Sequence, residues 1–225
     1  MKLSRGFWQT YKEVPNDAVI PSHQLMLRAG LIQKLSSGMY HLLPMGLRVV
    51  QKIAAIIRQE HDKAGCYELA MTVVTPSQLW EESGRWAVFG PDMLKIKDRS
   101  GNELCVSPTN EESVVDVFRK TVRSYKNLPL TLYQIGTKFR DEIRPRYGLM
   151  RCREFIMKDA YSFHIDADCM HKTYQEIYQV YENVFQRIGL KYIAVEADGG
   201  TMADGNSKTH GFQVLAPSGE DRVIH

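Results

Sequence analysis

LTLYQIGTKF at residues 130–139 and EFIMKDAYSF at residues 154–163 decide how the chain folds. The first reads as a sheet strand and the second as its antiparallel partner, joined across the Arg/Pro/Gly loop RDEIRPRYGLMRCR at 140–153. Successive side chains of a strand point to opposite faces, so Met157, Asp159 and Tyr161 share one face of the second strand. The loop is also where charge collects. From Lys138 to Arg153 there are six basic residues (Lys138, Arg140, Arg144, Arg146, Arg151, Arg153) against Asp141 and Glu142, a surplus of four. The chain as a whole carries +3, so the remainder is net negative by one.

Upstream of this hairpin, Ser22 is placed to cap a short helix through Ala29, with Gly30 as its stop. Ser36-Ser37-Gly38 reads as a turn. Pro44 opens a long helix in which Leu47, Val50, Ile53, Ala54 and Ile57 recur at helical spacing and predict one buried face, ended by Gly65. A strand is expected from Tyr67 to Val74, and a hairpin from Met93–Lys97 and Glu103–Ser107 around Asp98-Arg99-Ser100-Gly101-Asn102. Glu111 through Val122 reads as a helix, with Thr109 and Glu112 as a capping box at its start. Downstream, the stripe Met170, Tyr174, Ile177, Tyr178, Tyr181, Val184, Phe185 and Ile188 predicts an amphipathic helix whose aromatic side is core. Leu190–Val195, Phe212–Ala216 and Arg222–Ile224 are strand candidates, separated by a Gly/Asp/Asn/Ser loop over residues 198–207. This tally is α+β, an antiparallel sheet with flanking helices.

At 225 residues and 44% hydrophobic content the chain can bury a sizeable core, and one domain is expected. No apolar h-region follows the N-terminus and no stretch reaches the ~18 apolar residues of a membrane span, which points to the cytoplasm. Cys66, Cys105, Cys152 and Cys169 form no Cys-x-x-Cys pair and read as reduced thiols. Neither Cys169 with His171 nor His61 with Cys66 completes a tetrahedral set, so no metal ligand is assigned among them.

Phe139-Arg140-Asp141-Glu142, followed after the loop by Arg151-Cys152-Arg153-Glu154-Phe155 and Asp159, resembles motif 2 of the class II aminoacyl-tRNA synthetases. The flanks 134–142 and 148–163, together with residues 22–30 and 108–112, look like the bacterial prolyl type, and the likeness covers essentially the whole chain. It implies ATP-dependent activation of L-proline to prolyl-adenylate and transfer to tRNA(Pro), with ATP as a substrate accompanied by Mg2+. Such a reaction is attack of a carboxylate on the α-phosphorus, so the protein must neutralise phosphate charge and align two reactants. An arginine fork pairs bidentately with phosphate and stays charged.

By this resemblance Arg140 contacts the α-phosphate and the proline carboxylate, and Arg151 the γ-phosphate end of ATP. Glu142 accepts from the adenine amino group, and Phe155 stacks on the ring. Thr109 and Glu111 correspond to the Thr-x-Glu loop that holds the substrate's secondary ammonium, whose two N–H donors suit one hydroxyl and one carboxylate. Met157, Asp159 and Tyr161 border the proline ring, and His210 lines the same pocket. Taken singly, Arg140 and Glu142 would pass for a surface ion pair and Phe155 for a core aromatic.

Thr72 stands where the motif 1 proline belongs, Asn110 where the loop usually has histidine, Cys152 where it has glycine and Gly211 where it has glutamate. Motif 1 supplies much of the class II dimer interface, so a homodimer through that region is expected. The resemblance places motifs 1 and 2 in residues 1–225 as the N-terminal part of the catalytic domain. Motif 3, the editing insertion and the anticodon-binding domain are absent from them, so this segment alone is expected to activate proline poorly or not at all. Two alternatives use the same fold: a non-catalytic binding paralog, and an adenylating paralog that loads a carrier protein.

Overall fold

A computed structural model describes residues 3–197 and 209–219. The expected loop over 198–207 and the strand over 222–224 lie outside the described residues. Helix α1 (Pro21–Arg28) is followed by the hairpin β1 (Ile32–Ser36) and β2 (Met39–Leu42), and then by the long helix α2 (Pro44–Lys63). Two short strands come next, β3 (Tyr67–Glu68) and β4 (Val74–Pro76), then helices α3 (Ser77–Glu82) and α4 (Arg85–Val88) and the hairpin β5 (Leu94–Lys97) and β6 (Glu103–Val106). Helix α5 (Glu111–Thr121) leads into β7 (Leu130–Phe139) and β8 (Glu154–Phe163). Helix α6 (Ala167–Ile188) and the strands β9 (Tyr192–Ala197) and β10 (Thr209–Val214) complete the described chain.

The α+β class holds, but the described strands form four small sheets: β1-β2, β3-β7-β8, β4-β6-β5 and β9-β10. All ladders are antiparallel except β3 against β7, where Tyr67 faces Leu132 and Glu68 faces Tyr133. The strand expected from Tyr67 to Val74 is two strands because its ends serve different sheets. Leu69 N–H still bonds Tyr133 O at 2.8 Å, after which the chain crosses to pair Val74 with Val106.

Other boundaries differ for local reasons. Helix α1 begins at Pro21 with Ile20 as its cap and no side-chain cap bond, so Ser22 lies inside the helix. Proline at the first helical position has its φ preset for the helix and removes one of the N–H groups that the first turn leaves unpaired. The expected buried face of α2 is only partly buried: Ala54 is 8% exposed, but Leu47 is 43% and Ile53 37% exposed. Helix α6 is capped at its start by Asp166, whose carboxylate accepts from Cys169 N–H at 2.7 Å, and Gly189 ends it with φ +82°. Its aromatic stripe is only half-buried where core was expected: Val180 and Val184 are buried, Tyr174, Tyr178, Tyr181 and Phe185 are intermediate, and Met170 is exposed. Phe185 stacks on Phe212 of β10 at 5.4 Å, and Tyr181 and Tyr178 approach the same ring at 5.6 and 5.0 Å. A separate apolar centre forms around Trp80, Met93 and Cys105, backed by Leu79, Trp86 and Phe89. It lies directly behind the loop that leads into α5.

Candidate functional site

The β7–β8 ladder divides the molecule into two sides. Pairing sets Gln134 opposite Asp159, Gly136 opposite Met157 and Lys138 opposite Phe155, so these residues share one face with Tyr161. The opposite face carries Tyr133 and Lys158, which bond Asp62 of α2 and Tyr181 of α6. That side packs on α2 and α6 around Tyr133 and opens further along into a cavity of about 490 Å³ lined by Ile135, Thr137, Ile156 and Lys158; the first side is where the candidate site residues collect.

At its floor is a buried polar network. Lys138 has a side chain 1% exposed and Asp159 one 9% exposed, with Nζ 3.4 Å from Oδ1. Gln134 Nε2 donates to Asn110 Oδ1 at 2.9 Å and Asp159 Oδ2 at 3.1 Å, while its Oε1 accepts from Met71 N–H at 3.1 Å. Lys138 also donates to Asn110 Oδ1. Tyr161 OH donates to Asp159 Oδ2 at 2.6 Å and accepts from Asn110 N–H at 3.2 Å. Burial lowers the Lys138 pKa, with Asp159 opposing the shift. Burial also raises that of Tyr161, and its bond to Asp159 adds to the rise, so the phenol stays a donor. The network therefore fixes the 108–111 loop over the sheet through both the backbone and the side chain of Asn110.

On that loop Thr109 OH donates to Glu111 Oε2 at 2.6 Å. The expected Thr109–Glu112 capping box does not form. Asn110 is the helix cap without a side-chain cap bond, and Glu112 turns instead to Ser83 Oγ at 2.9 Å and Arg85 Nη1 at 3.0 Å. Having given its one proton to Glu111, the Thr109 oxygen keeps lone pairs to accept from a cationic N–H.

The other end is built by the 140–153 loop. Arg140 Nε donates to Pro108 O at 3.2 Å, and its guanidinium carbon lies 5.5 Å from the Phe155 ring centroid. Glu142 takes Arg144 N–H on Oε1 and Arg151 Nε on Oε2, each at 2.8 Å. These contacts, the backbone N–H first, hold its carboxyl below the usual range. The loop itself is docked on the N-terminal hairpin. Arg153 N–H bonds Gly38 O at 2.7 Å, Tyr147 adopts φ 61°, and Gly148 follows at φ +64°. A Cβ on Gly148 would stand 2.7 Å from Cδ2 of buried His23, so only glycine fits there.

The structure thus brings Thr109, Glu111, Asp159 and Tyr161 together, and places Arg140, Phe155, Glu142 and Arg151 beside them. Met157 lies on the same face of β8. Among the described contacts His210 belongs to a different group: its Nδ1 is 2.8 Å from Tyr174 OH, and its ring meets Tyr178 edge-on at 5.3 Å. Lys138, Gln134 and Arg85 were not expected in the site. Their roles arise from contacts 24 to 28 residues apart in sequence, which no local spacing reveals. Among the described residues no group of three or more His, Cys, Asp and Glu side chains could hold a metal ion, and all four thiols are free.

Residues 94–223 match the family described as tRNA synthetase class II core domain (G, H, P, S and T). The chain belongs to the class II tRNA synthetases. Proline–tRNA ligase of Methylobacillus flagellatus is 54% identical over 225 residues, all of this chain and 39% of that protein. The chain therefore spans well under half the length of this relative. A structure of Giardia lamblia prolyl-tRNA synthetase in complex with prolyl-adenylate superposes with a TM-score of 0.71. It is 24% identical and covers 76% of this chain and 36% of its own. Threonyl-tRNA synthetase of Cryptosporidium parvum, described as its RNA binding domain, gives 0.68 at 23% identity over 73% of this chain and 42% of its own. Both likenesses establish the class II synthetase fold of this chain.

Proposed function

We propose that this chain is the proline- and ATP-binding part of a proline–tRNA ligase, which forms prolyl-adenylate and transfers proline to tRNA(Pro). The observation that carries the reading is the position of Arg140. One guanidinium is hydrogen-bonded to the loop that presents Thr109 and Glu111 and lies against Phe155, so it stands between an ammonium site and an aromatic platform. The 54% identical ligase supports the choice of proline.

In this mechanism Thr109 Oγ1 and Glu111 accept the two N–H bonds of the substrate ammonium, and Met157, Asp159 and Tyr161 border the ring. Arg140 neutralises the substrate carboxylate and α-phosphate as the carboxylate oxygen attacks phosphorus and pyrophosphate leaves. Phe155 carries the adenine, and Glu142 accepts from its amino group. Arg151 must leave its pair with Glu142 to reach the γ-phosphate. The pair is solvent-screened, its arginine side chain 43% exposed, so it holds Arg151 weakly. His210 has a place in the proline pocket on the family likeness alone; its contacts in this fold are Tyr174 and Tyr178 of α6. Mg2+ would arrive on the nucleotide, since it takes mostly phosphate and water oxygens and needs few protein ligands; its contribution is charge neutralisation on the phosphates.

A second copy of the chain is proposed to cover the motif 1 region, where Met45, Leu47, Val49, Val73 and Val74 are all at least 39% exposed. No helix among the described residues is long and apolar enough to cross a membrane, and the proposed reaction belongs in the cytoplasm. The segment is read as the N-terminal part of a class II catalytic domain. The test is pyrophosphate exchange by the complete gene product. Proline-dependent exchange is expected, with Arg140→Gln slowing it roughly 100- to 1,000-fold; its absence overturns the reading, and charging of a carrier protein in place of tRNA redirects it.

A further inference from the structure

Arg85 stands at the start of α4, outside every motif that the family likeness rests on. Its guanidinium carbon lies 5.3 and 5.4 Å from the centroids of the Trp80 and Phe89 rings, which themselves meet edge-to-face at 5.7 Å. One nitrogen, Nη1, donates both to Glu111 Oε2 at 3.2 Å and to Glu112 Oε1 at 3.0 Å. Glu112 is a buried carboxylate, its side chain 3% exposed, and takes a further bond from Ser83.

We infer that Arg85 is a positioning residue for the ammonium site, fixing both the rotamer and the charge of Glu111; this rests on the proline-activation reading above. The rotamer follows from which oxygen is taken. Thr109 and Arg85 both bind Oε2, and among the described residues Oε1 has no hydrogen-bond partner. One carboxylate oxygen is anchored and the other is left to accept a substrate N–H. The charge follows from the count of groups: Arg85 with Glu111 and Glu112 sums to −1, and the adjacent Lys138–Asp159 pair cancels. A secondary ammonium carries +1, so the bound state is neutral at this end of the pocket. Without Arg85 the two carboxylates would repel and Glu111 would lose the anchor on Oε2 that sets its rotamer.

The experiment uses proline-dependent pyrophosphate exchange by the complete gene product, comparing Arg85→Lys, Arg85→Met and the pair Arg85→Met with Glu112→Gln. The paired variant removes both charges, so it avoids leaving Glu112 buried and uncompensated. For Arg85→Met, KM for proline is expected to rise ~10- to 100-fold, and for the pair, which restores the −1 sum but not the anchor on Oε2, to rise less, while KM for ATP stays within about twofold in both, as for a misplaced contact near the reacting groups. Arg85→Lys should recover part of the loss, because it returns the charge without the fork. The inference is overturned if all three variants keep the KM for proline, or if proline and ATP are weakened equally, as a purely structural role requires. No proline-dependent exchange by the unsubstituted protein overturns the functional reading itself, and this inference with it.

Discussion

Replacing Lys138 by Met removes the cation paired with Asp159 at the floor of the site and leaves Asp159 buried with neutral partners, Gln134 Nε2 at 3.1 Å and Tyr161 OH at 2.6 Å. Removing one member of a buried pair costs about 3–5 kcal/mol, since the survivor keeps its desolvation penalty without its counter-charge. Asn110 Oδ1 loses one of its two donors at the same time, Gln134 remaining. That is a large fraction of the ~5–15 kcal/mol stability of a typical domain. Lys138→Met is therefore expected to lower the urea midpoint strongly, and Asp159→Asn to lower it by a comparable amount. The double variant carries no buried charge here and should cost clearly less than the sum, with a coupling of ~0.5–3 kcal/mol between the two positions. Urea unfolding of the four proteins in one buffer closes the cycle. Additive losses, or a loss below about 1 kcal/mol for Lys138→Met, would refute the account of Lys138 as the charge partner that holds the 108–111 loop.

Three further outcomes are expected. Gly148→Ala combines a φ of +64° with a contact 2.7 Å from the His23 ring, so it should move the turn carrying Arg151 and raise KM for ATP while sparing KM for proline, as steady-state exchange kinetics would show. His61 is wholly buried on Tyr133 at 4.8 Å, and burial lowers its pKa from 6.5. The unfolded chain then binds the proton more readily, so stability should fall as pH drops through 6.5, before carboxylates titrate; urea unfolding from pH 7.5 to 5.5 should show a slope that His61→Phe reduces. Phe155→Ala should raise KM for ATP by a factor matching the ~1–3 kcal/mol of a base stacked on an aromatic ring, about 5- to 150-fold.

Much of this was legible in the sequence, and the particular misses share a cause. The two ten-residue strands at 130–139 and 154–163 are found at the expected bounds because period-2 side chains and a turn-forming loop are local signals. The family likeness then named Thr109, Glu111, Arg140 and Phe155, and the fold brings them to one side of the sheet. What local pattern cannot supply is choice of partner. Thr109 could cap α5 or bond Glu111, and it bonds Glu111, because Glu112 is claimed by an arginine 27 residues earlier. The segment after Gly65 looked like one strand, but two different sheets compete for its ends. The apolar stripe of α2 predicted burial, yet Leu47 and Ile53 find no cover within the described chain.

The parallel ladder between β3 and β7 bears on how the protein is made. Tyr67 and Glu68 pair with Leu132 and Tyr133, 65 residues later, and the 140–153 loop seats against His23 and Gly38, more than a hundred residues before it. At ribosomal speeds of ~5–20 residues per second, roughly 3 to 13 seconds separate the appearance of β3 from that of its partner. For that interval the first half of the nascent chain has an unpaired strand edge and an aromatic slot awaiting Tyr133. The period of greatest need for a chaperone should therefore end when the β7–β8 hairpin emerges, making the strands that organise the site also the step that closes the sheet.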